Sequence, residues 1–274
     1  MMTFSKSIMT AVLGIAMAAV PAMAQTKAPA KAPAKAPAPC EHPVDGYGCV
    51  ASRPPATEGP TPRMADGKPD LSGVWQHPFV PDMTKDGAEQ KGEANVAQLF
   101  TPWGKANAVE EFDYTAFCLP LGYVRSINSP MPLEIEQRPG RIVMLYEMNN
   151  TFHMVYTDGR PHPKDLEPTW FGHSIGKWDG DTLVIDTVGF NDQTRLDTQG
   201  HPHTDKLHLI ERFTRTDLGH LSYEMTVEDP GAYTKPWKNV RTFQLRPDWE
   251  LLEYNCNENN KEVMEGHLKA PAKK

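Results

Sequence analysis

Between Gly189 and Thr204 the chain reads GFNDQTRLDTQGHPHT, the densest run of chemically capable side chains in the sequence. Two imidazoles, His201 and His203, share a connection of about 15 residues with the carboxylates of Asp192 and Asp197, and compact domains rarely carry so long a loop without a use for it. An imidazole that titrates near neutrality and is oriented by a carboxylate can take a proton and return it. His203 or His201 with Asp192 or Asp197 is therefore a candidate acid–base pair, with Asn191 and Arg195 beside them as candidate substrate contacts. The blander reading is that Asn, Asp and Gly build turns and Pro202 stiffens an exposed loop. His201-Pro202-His203 could also chelate a divalent metal, but the proline upsets the alternation a chelate needs and no H-E-x-x-H accompanies it.

A second set is spaced by two. Tyr156, Asp158, Arg160 and His162 in YTDGRPH fall on one side of an extended backbone. Arg160 could clamp a carboxylate or stabilise an oxyanion beside Tyr156, or simply pair with Asp158 on a surface turn. His173 and Ser174 are adjacent, so on a strand they face opposite ways and cannot serve each other as a dyad; His173 is kept as a substrate contact. Glu211 shares an alternation face with Leu209 and Phe213, which makes it either a buried, partnered acid or part of a wet cavity wall. Tyr254 and Glu258 complete the candidate substrate-binding set. Phosphate-loop, dinucleotide and G-x-S-x-G signatures are missing, so no organic cofactor is expected.

These residues hang on strands. Ile142–Glu147 with Phe152–Thr157, and Gly172–Trp178 with Thr182–Val188, read as hairpins, the second around Asp179-Gly180-Asp181. Leu207–Arg215, Leu221–Val227, Val240–Arg246, Trp249–Cys256 and Ser72–His77 bring the count to about ten short strands. One helix is expected, around Lys105–Phe112. The pattern predicts an all-β fold, an antiparallel up-and-down meander closing into a lipocalin-like barrel behind an irregular N-terminal arm. Closure removes exposed strand edges, and a barrel of this size can hold one small ligand. Trp75, Trp170, Trp178, Trp237 and Trp249 could wall such a pocket, although aromatic residues in β proteins are more often core.

The ends say where the chain works. Lys6, the apolar stretch Ile8–Val20 and Ala22-Met23-Ala24 read as a signal peptide over 1–24, cleaved near Ala24. Its apolar run falls short of the roughly 20 residues of a spanning helix, so no transmembrane segment is expected afterwards and the mature chain is periplasmic or secreted. The Lys-Ala-Pro repeats of 25–39 form a semi-rigid tether. An irregular arm over 40–70, one β-barrel domain over 71–265 and a disordered tail over 266–274 follow. The net charge of −7, with no basic stripe, argues against a nucleic-acid partner; nothing sets an oligomeric state. Of the three pairings open to Cys40, Cys49, Cys118 and Cys256, the one favoured joins Cys40 to Cys49 and Cys118 to Cys256.

CLPLG (118–122), YTDGRPHP (156–163), PTWFGHSIGKWDGDTLVIDT (168–187), GFNDQTRLD with GHPHT (189–204), DPGAYTKPW (229–237) and LLEYNCNEN (251–259) together resemble a family of exported bacterial proteins common in soil and sphingomonad-type bacteria. The resemblance spans about the last 160 residues and implies no established reaction. The chain departs from the family pattern at His173, where a Tyr is expected, and at Arg195, where an aromatic residue is expected. Gly73-Val74-Trp75 also resembles the G-x-W that opens the first lipocalin strand.

Three functions follow as expectations. The first is a cofactor-independent lyase, isomerase or hydratase acting on a small, partly apolar, plant- or lignin-derived aromatic molecule. The second is a carrier that holds such a ligand unchanged, and the third, suggested by the tether alone, is an envelope-associated protein.

Overall fold

Alternation of apolar and polar side chains dictates the architecture. The computed structural model describes residues 58–108, 117–258 and 261; the expected signal peptide, the tether, the Cys40–Cys49 pair and the tail over 266–274 lie outside them. Its strands are β1 (Gly73–Gln76), β2 (Gln90–Lys91), β3 (Leu133–Arg138), β4 (Arg141–Tyr146), β5 (Thr151–Tyr156), β6 (His173–Asp179), β7 (Thr182–Val188), β8 (His208–Arg215), β9 (His220–Glu228) and β10 (Trp237–Leu245). The sheet runs β1-β3-β4-β5-β6-β7-β8-β9-β10, and β1 pairs back onto β10 through Trp75 and Leu245, so these strands form a closed barrel. β2 adds two residues to the edge of β10.

Every second residue points inward. On β8 these are Leu209, Glu211, Phe213 and Arg215, and on β9 Leu221, Tyr223, Met225 and Val227. The apolar ones, with Trp75, Leu133, Ile135, Met144, Ile185, Trp237 and Phe243, belong to one continuous core inside the barrel, each large side chain stabilising the fold by about 1.5–3 kcal/mol.

All pairings are antiparallel except one, since β5 and β6 run parallel through Val155 and Ser174. The connection over 157–172 carries Pro161, Pro163 and Pro168, which cannot join a ladder, so the chain returns along the barrel before β6 begins. Gly172 ends this strap with φ +67°, and a Cβ there would stand 2.8 Å from the Val188 carbonyl and 2.9 Å from Thr187. Gly172→Ala is therefore expected to cost about 2 kcal/mol or more, combining left-handed strain with backbone crowding; the shift in urea midpoint measures it.

Two α-helices lie among the described residues, beside short 3-10 turns at Val96–Leu99 and Met148–Asn150. α1 (Pro102–Asn107) starts three residues before the expected helix because Thr101 caps it, its hydroxyl accepting the Gly104 N–H at 3.0 Å, with Pro102 in the first turn. α2 (Gly122–Ile127) was not foreseen. It is buried throughout and lacks a side-chain cap, so packing against the barrel holds it rather than propensity. The expected last strand over Trp249–Cys256 is also corrected: β10 closes the barrel alone, and the later segment is irregular. That segment is tied down by the expected Cys118–Cys256 disulfide, Cα–Cα 5.4 Å. No helix among the described residues is long and apolar enough to cross a membrane.

Candidate active site

The histidine-bearing loop after β7 folds inward against α2 and the arm before it, but it spends its polar groups on itself. Asp197, fully buried, accepts the backbone N–H of Met83 at 2.9 Å and of Gln199 at 3.1 Å. It also holds His201 Nδ1 at 2.7 Å, which raises the imidazole pKa against the lowering effect of burial. His203 has both ring nitrogens engaged, Nε2 with the Thr194 hydroxyl at 2.6 Å and Nδ1 with the Thr204 carbonyl at 3.1 Å. Burial lowers its pKa. Asp192 is exposed, Asn191 receives the Gln193 N–H in a local turn, and Arg195 donates to the Thr194 carbonyl. The structure thus pairs His201 with Asp197 as a turn brace and leaves His203 and Asp192 apart. Asp82 joins Asp197 and His201 in a group with metal-ligand spacing, but the Asp197 oxygens are already taken by backbone donors.

The second set gathers on the outer wall. Arg160 does not face the interior: it grips Asp158 at 2.6–3.0 Å and lies 4.0 Å over the Tyr156 ring. Tyr156 stacks on His173, whose Nδ1 meets His162 Nδ1 at 2.8 Å, and His162 Nε2 reaches Asp186 at 3.0 Å. These contacts strap the 157–172 connection to β6 and β7. Tyr254 accompanies the C-terminal segment, and Glu258 is exposed there.

Inside the barrel the picture changes. Glu211 is fully buried, and one oxygen, Oε1, accepts the hydroxyls of Tyr123 on α2 at 2.5 Å and Tyr223 on β9 at 2.7 Å. Its other oxygen, Oε2, has no partner among the described residues. Burial drives the carboxyl pKa up, the two hydroxyls and the Arg241 charge pull it back, and it settles at about 7. Burial and the Glu211 charge keep both tyrosines protonated, far above their ordinary value. Arg241 on β10 donates Nε to Asn239 at 2.6 Å and Nη1 to the Ile127 carbonyl at 3.0 Å, while Nη2 has no partner among the described residues.

A polar chain runs beside this hub. Thr187, Ser174 and His153 face inward on β7, β6 and β5, with Ser174 Oγ 2.8 Å from the threonine hydroxyl and 2.5 Å from His153 Nε2. The His153 ring lies 4.2 Å from that of Tyr123, and its Nδ1 has no partner among the described residues. Burial holds its pKa down to about 3, and that of His77 to about 4. An imidazole so reluctant to charge is a poor base for Ser174, so the contact positions the two groups rather than making a nucleophile.

Neither protein-family models nor curated proteins match this chain. The site must therefore be read from its chemistry. Leaving a buried polar atom unpaired costs about 1–3 kcal/mol, and here Glu211 Oε2, Arg241 Nη2 and His153 Nδ1 all stand unpaired in one barrel. They are three of eight such atoms among the described residues.

Of the expected residues only Glu211 belongs to this hub. Tyr123, Tyr223, Arg241, His153 and Ser174 were missed, although His153 and Ser174 occupy inward positions of strands, a signal alternation could have supplied.

The two neutral histidines also set an acid limit. Their folded pKa values lie below the ordinary 6.5, so the unfolded chain takes up protons that the folded one refuses, and stability is lost as pH falls below 6.5. At pH 5 each costs about 2 kcal/mol. His153→Leu is expected to flatten the fall in urea midpoint between pH 7 and pH 5.

Proposed function

We propose that the chain is an exported, cofactor-independent acid–base enzyme, a lyase, isomerase or hydratase. Its substrate would be a small, partly apolar aromatic molecule of plant or lignin origin, and Glu211 the group that takes and returns the proton. One observation carries this reading: a fully buried carboxyl whose pKa is raised to about 7, with Oε1 fixed by two tyrosine hydroxyls and Oε2 left bare.

A base poised near the working pH moves a proton with least cost in either direction. In this account Oε2 accepts a proton from substrate carbon. The electron pair left behind moves onto a conjugated oxygen or expels a leaving group, and the protonated acid delivers the proton to its new position or to the departing group. Arg241, with one N–H uncommitted, supports the developing negative charge. Export agrees with the Cys118–Cys256 disulfide, which persists in oxidising compartments. On this reading the catalytic group lies in the barrel interior rather than on the His201/His203 loop.

The test is turnover of a panel of neutral aromatic alcohols, ethers and alkenes. Wild type converts at least one of them and Glu211→Gln, still folded, does not; equal turnover by the variant refutes the assignment. A carrier without chemistry is favoured by one feature, a cavity of about 380 Å3 whose lining holds no carboxylate, imidazole or cation. A ligand recovered unchanged after long incubation would select that reading.

A further inference from the structure

The same cavity lies beside the Cys118–Cys256 disulfide, at the end of the barrel covered by α2 and the β4–β5 turn. Phe171 belongs to its lining and also packs its ring 5.9 Å from Tyr123 and 6.2 Å from both Tyr146 and His153. One aromatic side chain thus separates the cavity from the group around Glu211.

The lining is amphiphilic, and its described residues carry no charge. Phe171, Tyr254, Leu121 and the disulfide offer apolar and polarisable surface, the Thr151 hydroxyl, which donates to the Met148 carbonyl at 3.1 Å, offers an acceptor, and the amides of Asn149 and Asn257 offer donors and acceptors. The Asn150 amide is spent on bracing the wall, its Nδ2 donating to the Tyr254 carbonyl at 2.9 Å and its Oδ1 accepting the Tyr254 N–H at 3.3 Å. Cys118, Asn149 and Asn150 all hold positive φ, at 50°, 59° and 48°. Strain of this kind persists where surrounding structure over-determines a loop, as it does at ligand clamps.

A carboxylate in this cavity would lose water without meeting a cation, and the chain's net charge of −7 repels it from a distance. A cation would find no carboxylate among the described lining residues. A neutral ring bearing hydroxyl or ether oxygens satisfies both halves of the wall, with its face on Phe171 and its oxygens on the amides.

We propose that this cavity is the recognition site for a neutral, hydroxylated or alkoxylated aromatic molecule, placed one side chain away from Glu211. The substrate class rests on the acid–base reading, but binding does not require turnover.

Calorimetric titration with 2-methoxyphenol and with benzoate tests it. Wild type is expected to bind 2-methoxyphenol at least tenfold more tightly than benzoate. Phe171→Ala should weaken 2-methoxyphenol about tenfold, and Thr151→Lys, at a position of ordinary backbone conformation (φ −98°), should raise benzoate affinity about tenfold. Equal affinity for the two probes, no binding of either by folded protein, or no response to Phe171→Ala and Thr151→Lys would overturn the cavity assignment. Selective binding with no turnover of any panel member would remove the enzyme reading and leave this one standing.

Discussion

Glu211→Gln is expected to yield a protein inactive toward the aromatic panel yet harder to unfold at pH 8 than the wild type. The folded carboxyl titrates at about 7 against an ordinary 4.5, so folding carries a penalty wherever the unfolded chain would already have lost its proton. The penalty is absent below about pH 4.5, grows between the two values and is complete above pH 7, where it reaches about 3 kcal/mol. Glutamine keeps an oxygen for the Tyr123 and Tyr223 hydroxyls and never ionises. The variant should therefore come within about 1 kcal/mol of the wild type near pH 5 and exceed it by up to about 3 kcal/mol at pH 8 in urea unfolding, while turnover falls by about 10²–10⁴-fold. Stability gained at the expense of activity is the common signature of a strained site. A difference that stays flat from pH 5 to pH 8 would mean that the carboxyl is solvated.

Loss of the disulfide is the second large effect. Cys118 and Cys256 are separated by 138 residues, and closing a loop of that length removes about 5 kcal/mol of unfolded-state entropy in the chain model, a ceiling that measured bridges often miss. Cys118→Ser combined with Cys256→Ser is expected to lower urea stability by about 3–5 kcal/mol and to lose 2-methoxyphenol binding, because the segment carrying Tyr254 and Asn257 also walls the cavity. A loss under about 1 kcal/mol would show that this segment is not part of the cooperative unit.

Much of the barrel was legible because period-two alternation is enforced by a core on one face. Thr182–Val188 appeared with its observed limits, and the turn around Gly180, φ +59°, was readable from Asp-Gly-Asp. The parallel β5–β6 pairing was not. Prolines show that 157–172 cannot pair, but not where the chain goes next. α2 stayed hidden behind Pro120 and a sequence with little helix propensity, since its burial comes from residues far away in the chain. Trp249–Cys256 looked like a strand because it is rich in apolar residues, yet Leu252 is exposed and the segment is held by its disulfide and by bonds to Glu147 and Asn150, which need no ladder.

The 189–204 loop differs from its expected role for a related reason. Polar density drew attention to 189–204, but a loop folded against a core must satisfy its own backbone, and Asp197 and His203 are consumed doing so. Glu211 was visible as a lone acid among inward apolar residues. The same rule applied to every strand would have found His153 beside Val155, Ser174, and Arg241 between Asn239 and Phe243. Tyr123 could not have been found this way, because it reaches Glu211 from a helix 88 residues earlier.

The central claim is that the Glu211 carboxyl sits in the barrel interior balanced between its two protonation states. Carbon-13 NMR of protein labelled at the glutamate carboxyl, assigned by comparison with Glu211→Gln, reads that balance without any substrate. One resonance absent from the variant should titrate with a midpoint near pH 7; a midpoint in the ordinary range near 4.5 would contradict the account.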